Sequence, residues 1–270
     1  FNIVFRQSPD TVFWQAIENS LQQHAVTCTI TRNDPSQQSS QAVSLDLDSK
    51  SRAKVISTLG ANGTKVVTES IVTPTDDYVR YVSIQTAAKT ADGKTLDTSK
   101  VLNVWAKQSR QDSGGTSVFE GAVSGGCVAP LMNLSAADAR KLVAEAKKQQ
   151  VFKTNMAQSE WKWNFNEPVR AYEVTVDPVP FVAFMKQAAD TYGLKALDDV
   201  TSANFSDKAA EKFIFTIGAT THKLQEISFD KRSTTYTFDE YGKIPDTSLP
   251  KQSVSTAELQ QRLQQMQQPD

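Results

Sequence analysis

In 270 residues there are two histidines, His24 and His222, and two cysteines, Cys28 and Cys127. No Cys-x-x-Cys pair brings two thiolates together, so a zinc site lacks soft ligands. Ser51-Arg52-Ala53-Lys54 has the S-x-x-K spacing in which a lysine draws the proton from a serine nucleophile. That chemistry needs the serine at a helix start, with S-D-N and K-T-G companions elsewhere. Residues 52–59 read as strand and neither companion occurs, so the match is assigned to chance. Ala122-Val123-Ser124-Gly125-Gly126 loosely repeats a nucleophile elbow, which must follow a strand and open a helix. It lies instead in a Gly/Ser-rich stretch. Cys127 and His222 supply a thiol and a base, but no third residue is positioned to orient them. A disulfide between Cys28 and Cys127 is the better reading of the two cysteines. Asp46 and Asp48 share a strand face and offer hard oxygen ligands; without a third ligand they read as a solvated outer face. His24 falls in the last turn of a predicted helix, where a positive charge meets the negative helix end. No catalytic residue, metal or cofactor is assigned, and the chain is not read as an enzyme.

Composition narrows the partners. Lys+Arg total 29 and Asp+Glu 30, a net charge of −1. The isoelectric point is about 6.2 and the mean hydropathy −0.41. A near-neutral chain without a basic block lacks the electrostatic footprint of a nucleic-acid binder. No apolar run reaches the length of a membrane span. Ser, Thr, Gln and Asn are abundant, there are four Met, and Phe1, Ile3, Val4 and Phe5 form a short apolar run. That run is read as the stub of a removed signal or anchor. The expected location is extracytoplasmic, periplasmic or cell-surface, with membrane attachment only through the missing N-terminal anchor. Sequons stand at Asn62, Asn133 and Asn204 and matter only where the source glycosylates.

Several elements must position these residues. Ser8-Pro9-Asp10 opens a helix through about His24, with Val12/Phe13, Ala16/Ile17 and Leu21 at helical spacing. Val26–Thr31 is a strand, and 33–40 a polar loop. Residues 41–85 alternate as antiparallel strands: Val43, Leu45 and Leu47 face inward, and Ser44, Asp46 and Asp48 face water. Asn62-Gly63 signals a hairpin. Val101–Ala106 reads as a strand carrying Trp105, and 108–130 as a long Gly/Ser-rich loop. Ser135 caps a second helix. Strands follow at 161–165 and 170–176, then an apolar helix over 178–193 stopped by Gly193. Phe213–Ile217, Leu224–Phe229 and Ser233–Phe238 complete the meander. Ser255 caps a Gln-rich helix carrying Leu259, Leu263 and Met266.

The segments Val43–Gln85 and Lys212–Pro250, notably Asp77-Tyr78-Val79-Arg80-Tyr81 and Thr235-Tyr236-Thr237-Phe238-Asp239-Glu240-Tyr241, resemble the LolA/LolB and LppX/LprG superfamily of periplasmic carriers and surface lipoproteins. The resemblance covers about half the chain as a pattern, with no invariant motif. The lipoprotein cysteine is absent from this N-terminus, and 87–134 has no place in the family pattern. What the resemblance implies is an α+β fold: a large curved antiparallel sheet, or half-barrel, with helices packed on its concave face. Residues 8–250 then form a single domain, with an N-terminal stub at 1–7, a loop insertion at about 87–134 and a Gln-rich helix or tail at 251–270.

Two functions follow as expectations. The first is a membrane-anchored, lipoprotein-like carrier holding an apolar, lipid-like ligand between sheet and helices. Phe181, Phe184, Met185 and Ala188 would line its cavity, because Ala188, Ala189 and flexible Met185 leave room where a packed core favours Leu or Ile. The second is a non-enzymatic interaction module or scaffold with a filled core, meeting an envelope protein through a sheet edge or the C-terminal helix.

Overall fold

The computed structural model describes residues 7–33, 38–48, 51–90, 93–109, 131–155, 159–164, 167–194, 197–229 and 233–266. Helix α1 (Pro9–Leu21) starts as its sequence dictates: the Ser8 hydroxyl accepts the Thr11 amide at 3.2 Å and Pro9 takes a first-turn position. It stops at Leu21, so His24 lies beyond the helix and not in its last turn. The His24 carbonyl instead accepts the Leu47 amide at 2.7 Å.

Strands β1 (Ala25–Asn33), β2 (Gln38–Asp46), β3 (Arg52–Ala61), β4 (Thr64–Val72) and β5 (Asp76–Gln85) form an antiparallel meander. Asn62 and Gly63 turn β3 into β4 at φ of 49° and 74°, the positive-φ pair that a two-residue hairpin requires. Residues 38–40, expected in a polar loop, belong to β2, and 34–37 lie outside the described residues. The strand expected at 101–106 is displaced. Asn103 turns at φ 59°, and β6 (Ala106–Ser109) starts after Trp105. Val101 is buried against a helix and not in a ladder, so tertiary packing overrides its strand propensity.

Past 110–130, which lie outside the described residues together with Ser124 and Cys127, Leu131, Met132 and Leu134 are buried. The Met132 and Leu134 amides donate to the Ser20 and Leu21 carbonyls at 3.4 and 2.9 Å, closing the end of α1. Then come α2 (Ala136–Lys148), β7 (Phe152–Thr154), β8 (Glu160–Asn164), β9 (Glu167–Val176) and α3 (Pro178–Tyr192). A 3-10 turn at Ser202–Phe205 leads to β10 (Glu211–Gly218), β11 (Leu224–Phe229) and β12 (Thr234–Asp239), and the last elements are β13 (Val254–Ser255) and α4 (Thr256–Gln265).

Among the described residues the 13 strands make one open sheet, ordered β13-β6-β5-β4-β3-β2-β1-β12-β11-β10-β9-β7, with β8 also on β9. Every pairing is antiparallel except β13 with β6. The class is α+β. β1 pairs with β12, so the N- and C-terminal meanders share one ladder.

Register defines the faces. Cys28 lies opposite Val43 and Phe238, Ile30 opposite Tyr236, Tyr236 opposite Ile227, Ile227 opposite Phe215 and Phe215 opposite Tyr172. These residues join Phe13 and Ile17 of α1, Leu142 and Val143 of α2, and Phe184 and Met185 of α3 in one apolar cluster. A smaller cluster of Val101, Ala106 and Leu259, flanked by Val79, Tyr81 and Ile84, occupies the same face where α4 docks. The 87–134 segment thus contributes a sheet strand and buried core residues at both of its ends.

The opposite face carries a strap. Leaving β12, the chain turns at Gly242 (φ 76°), and the Arg52 guanidinium donates to the Thr247 carbonyl at 3.1 Å. Ile244–Leu249 lie against Asp46 and Arg52. Asp46, expected on a wet face, is therefore buried at 5 % exposure beneath the strap. The chain reaches β6, pairs as β13 and swings α4 over the other face. Edge strand β6 is thereby capped by covalently linked chain, which limits edge-to-edge association.

Candidate functional site

Helix α3 is built to present one apolar stripe. Asp177 accepts the Val179 amide at 3.2 Å, Pro178 occupies the first turn, and Gly193 ends the helix at φ 89°, where a Cβ would be strained. The structure brings Phe181, Phe184, Met185 and Ala188 together against the sheet. Phe184 and Met185 are 2 % and 4 % exposed, and Ala188 and Ala189 are 0 % exposed. Phe181 is half-buried at the rim.

What faces the stripe is aromatic. Phe152 stands centrally, with ring centroids 5.8 Å from Phe184, 6.0 Å from Phe181, 6.0 Å from Phe13 and 6.0 Å from Phe215. Most of these are edge-to-face, the geometry favoured by ring quadrupoles. Sequence reasoning missed Phe152; the Val151-Phe152 pair directly after a capped helix was the available signal. Trp161 and Trp163 take no part in this cluster: they are on β8 and exposed, at 43 % and 72 %. The far end of α3 is latched: the Tyr192 hydroxyl donates to the Leu47 carbonyl at 3.0 Å and is 3.3 Å from the Ser51 hydroxyl. Burial holds the Tyr192 phenol above its usual pKa. Ser51, the serine of the S-x-x-K spacing, sits at φ 43° just before β3 and serves this latch.

The opposite face is polar. Glu69 is 7 % exposed, 2.9 Å from the Lys54 ammonium and paired with Arg80, whose guanidinium stacks 4.6 Å from the Trp105 ring. Burial alone would raise the Glu69 pKa, but hydrogen bonds and charge from Lys54 and Arg80 bring it below the usual value. A carboxylate held between two cations is not a general base.

Several clefts lie on this side, among them a shallow one at Thr31, Ser40 and Thr58 and two that hold carboxylates. One, of about 380 Å³, is formed by Asp46, Arg52 and the strap. The other, of about 370 Å³, includes Glu167, Thr221, Gln225, Asp239 and Tyr241. Both Glu167 oxygens are occupied, by the Thr220 and Thr221 amides at 3.2 Å and by the Thr221 hydroxyl and Gln225 amide at 2.8 Å. Burial, then the Glu240 charge, raises the Asp239 carboxyl. The Thr221 hydroxyl thus meets a carboxylate that two backbone amides and the Gln225 side chain also occupy, an arrangement that ties the turn after β10 to the start of β9. Among the described residues no three His, Cys, Asp or Glu side chains converge as metal ligands.

Cys28 is fully buried in β1 on the helix-bearing face, and no described cysteine is free. Cys127 lies outside the described residues, so its expected bond to Cys28 and its pairing with His222 stay untested. His222 occupies a turn at φ 50°, its carbonyl accepting the Asn19 amide at 2.9 Å. Among the described residues no helix is long and apolar enough to cross a membrane. No family model matches the chain, and no curated protein matches it in sequence.

Proposed function

We propose that this protein is a non-enzymatic, extracytoplasmic interaction module with a filled core, on a sheet curved as in the LolA/LolB and LppX/LprG superfamily, with α1–α3 on its concave face. The observation that carries this reading is the closure around α3. A side chain bordering a space large enough for water keeps accessible surface. Ala188 and Ala189 keep none, and Phe184 and Met185 almost none. Aromatic rings take up the volume an acyl chain would need. Function then belongs to the outer surface of a rigid body. The far end of the meander is one such surface: Ile56 and Leu59 of β3, on opposite faces of the sheet, and Val82 of β5 are exposed there. α4 is a weaker candidate, because Leu259, Leu263 and Met266 are spent on β5 and β6.

A carrier of an apolar, lipid-like ligand is favoured by a different observation. The two apolar clusters share a face without merging. Leu59, Val66 and Ile84, on that face toward the tip of the meander, are only partly covered. An acyl chain would lie along this trough and not beneath α3.

Two variants separate the readings, Met185→Trp beneath α3 and Val66→Glu in the trough. In a filled core, overpacking destabilises the fold by about 1–3 kcal/mol in denaturant unfolding, with no ligand to lose. A Val66→Glu protein of unchanged stability that sheds co-purified lipid would instead establish the carrier.

A further inference from the structure

Trp163 is the most exposed large hydrophobic side chain among the described residues, at 72 %. It stands two residues from Trp161 on β8, and register puts both on the helix-bearing face, opposite Pro168 and Arg170. Exposing two indoles on an edge strand costs stability and solubility without contributing to either core. The surroundings indicate what the pair meets. The Arg170 guanidinium lies 5.1 Å from the Trp161 ring and 5.8 Å from the Tyr172 ring, and its Nε donates to the Ser159 hydroxyl at 2.9 Å. The Tyr172 hydroxyl donates to the Pro9 carbonyl at 3.1 Å, so the start of α1 lies beside this group. Two indoles and a guanidinium therefore share one corner of the molecule, beside the start of α1. Indole combines an apolar body with a polar N–H and concentrates where hydrocarbon meets water; arginine pairs with phosphate there.

We infer that the β8–β9 hairpin is a membrane-contacting element, with Trp161 and Trp163 seated in the headgroup region of a lipid bilayer and Arg170 beside a lipid phosphate. This does not depend on whether the face beneath α1–α3 is filled or holds a ligand. Lys162 and Arg170 are outnumbered by Glu160, Glu167 and Glu173 on the same two strands. The attachment is therefore driven by the indoles and not by net charge, and it survives high salt.

The test is co-sedimentation of the full chain with phosphatidylcholine vesicles carrying brominated acyl chains, which quench nearby indoles. The expected result is sedimentation with quenching that persists at high salt, and a loss of partitioning of roughly ten-fold or more in Trp161→Phe/Trp163→Ser with an unchanged circular-dichroism melt. If the double variant unfolds, Trp163→Ser alone carries the test, since its side chain touches neither core. Four outcomes would overturn the inference: no sedimentation of the wild type; equal sedimentation of wild type and variant, which would assign binding to Phe1–Phe5; release by salt; or a wild-type dimer abolished by the variant, which would make the hairpin a contact between copies.

Discussion

Glu69 shows how a charge is kept inside this sheet. Its register partner on β5 is Arg80, and Lys54 reaches it diagonally from β3; together they offset the desolvation that would otherwise raise its pKa. Because the folded-state value is below the unfolded value near 4.5, the stabilisation is full above that pH and is lost as the pH falls through the lower folded value. Glu69→Gln leaves two cations facing a neutral amide. It is expected to cost about 1–3 kcal/mol at neutral pH in urea unfolding, and less under acid, where the wild-type carboxyl is itself protonated. A loss independent of pH would contradict the assignment. Sequence made some single residues legible and not others. Ser8, Ser135 and Asp177 accept amides two or three positions on, and the Gly193 amide donates back to the Ala189 and Asp190 carbonyls, so all four cap as their types dictate. The environments of Asp46 and Phe152 depend on residues about 200 and 30 positions distant, and nothing local announces the strap over one or the aromatic ring around the other.

Among the elements, strands with one wet face were read almost residue for residue, because alternation is a local signal: Val43 and Leu45 are buried and Ser44 is not. β6 was misplaced because the burial of Val101 is satisfied by α4. That helix is a separate unit of stability. Leu259 is its one fully docked side chain, in a cluster that does not join the main core. Leu259→Ala is expected to remove about 2–4 kcal/mol from local docking. Limited proteolysis should then cut within 251–266 faster, while the main unfolding transition is unmoved. A matching fall in the global transition would mean the two clusters form one cooperative unit.

At the scale of the molecule, the pairing of β1 with β12 joins ends of the chain more than 200 residues apart. Such ladders carry a large loop-closure cost and no local sequence signal. The α+β class could be read from the order of elements, but the strand order and the strap could not. A Cys28–Cys127 bond would shorten that closure, stabilising by about 4 kcal/mol in the chain-entropy account. Thiol titration of the denatured, unreduced protein is expected to find no free thiol, and two free thiols would exclude the bond. The packed stripe of Phe184, Met185 and Ala188 is what separates a filled module from a carrier. Native mass spectrometry of the protein, purified from a host that exports it past lipid membranes, reads this directly. The expected spectrum is the bare polypeptide alone, and a stoichiometric lipid adduct, released by organic solvent, would contradict the interaction-module reading and establish the carrier.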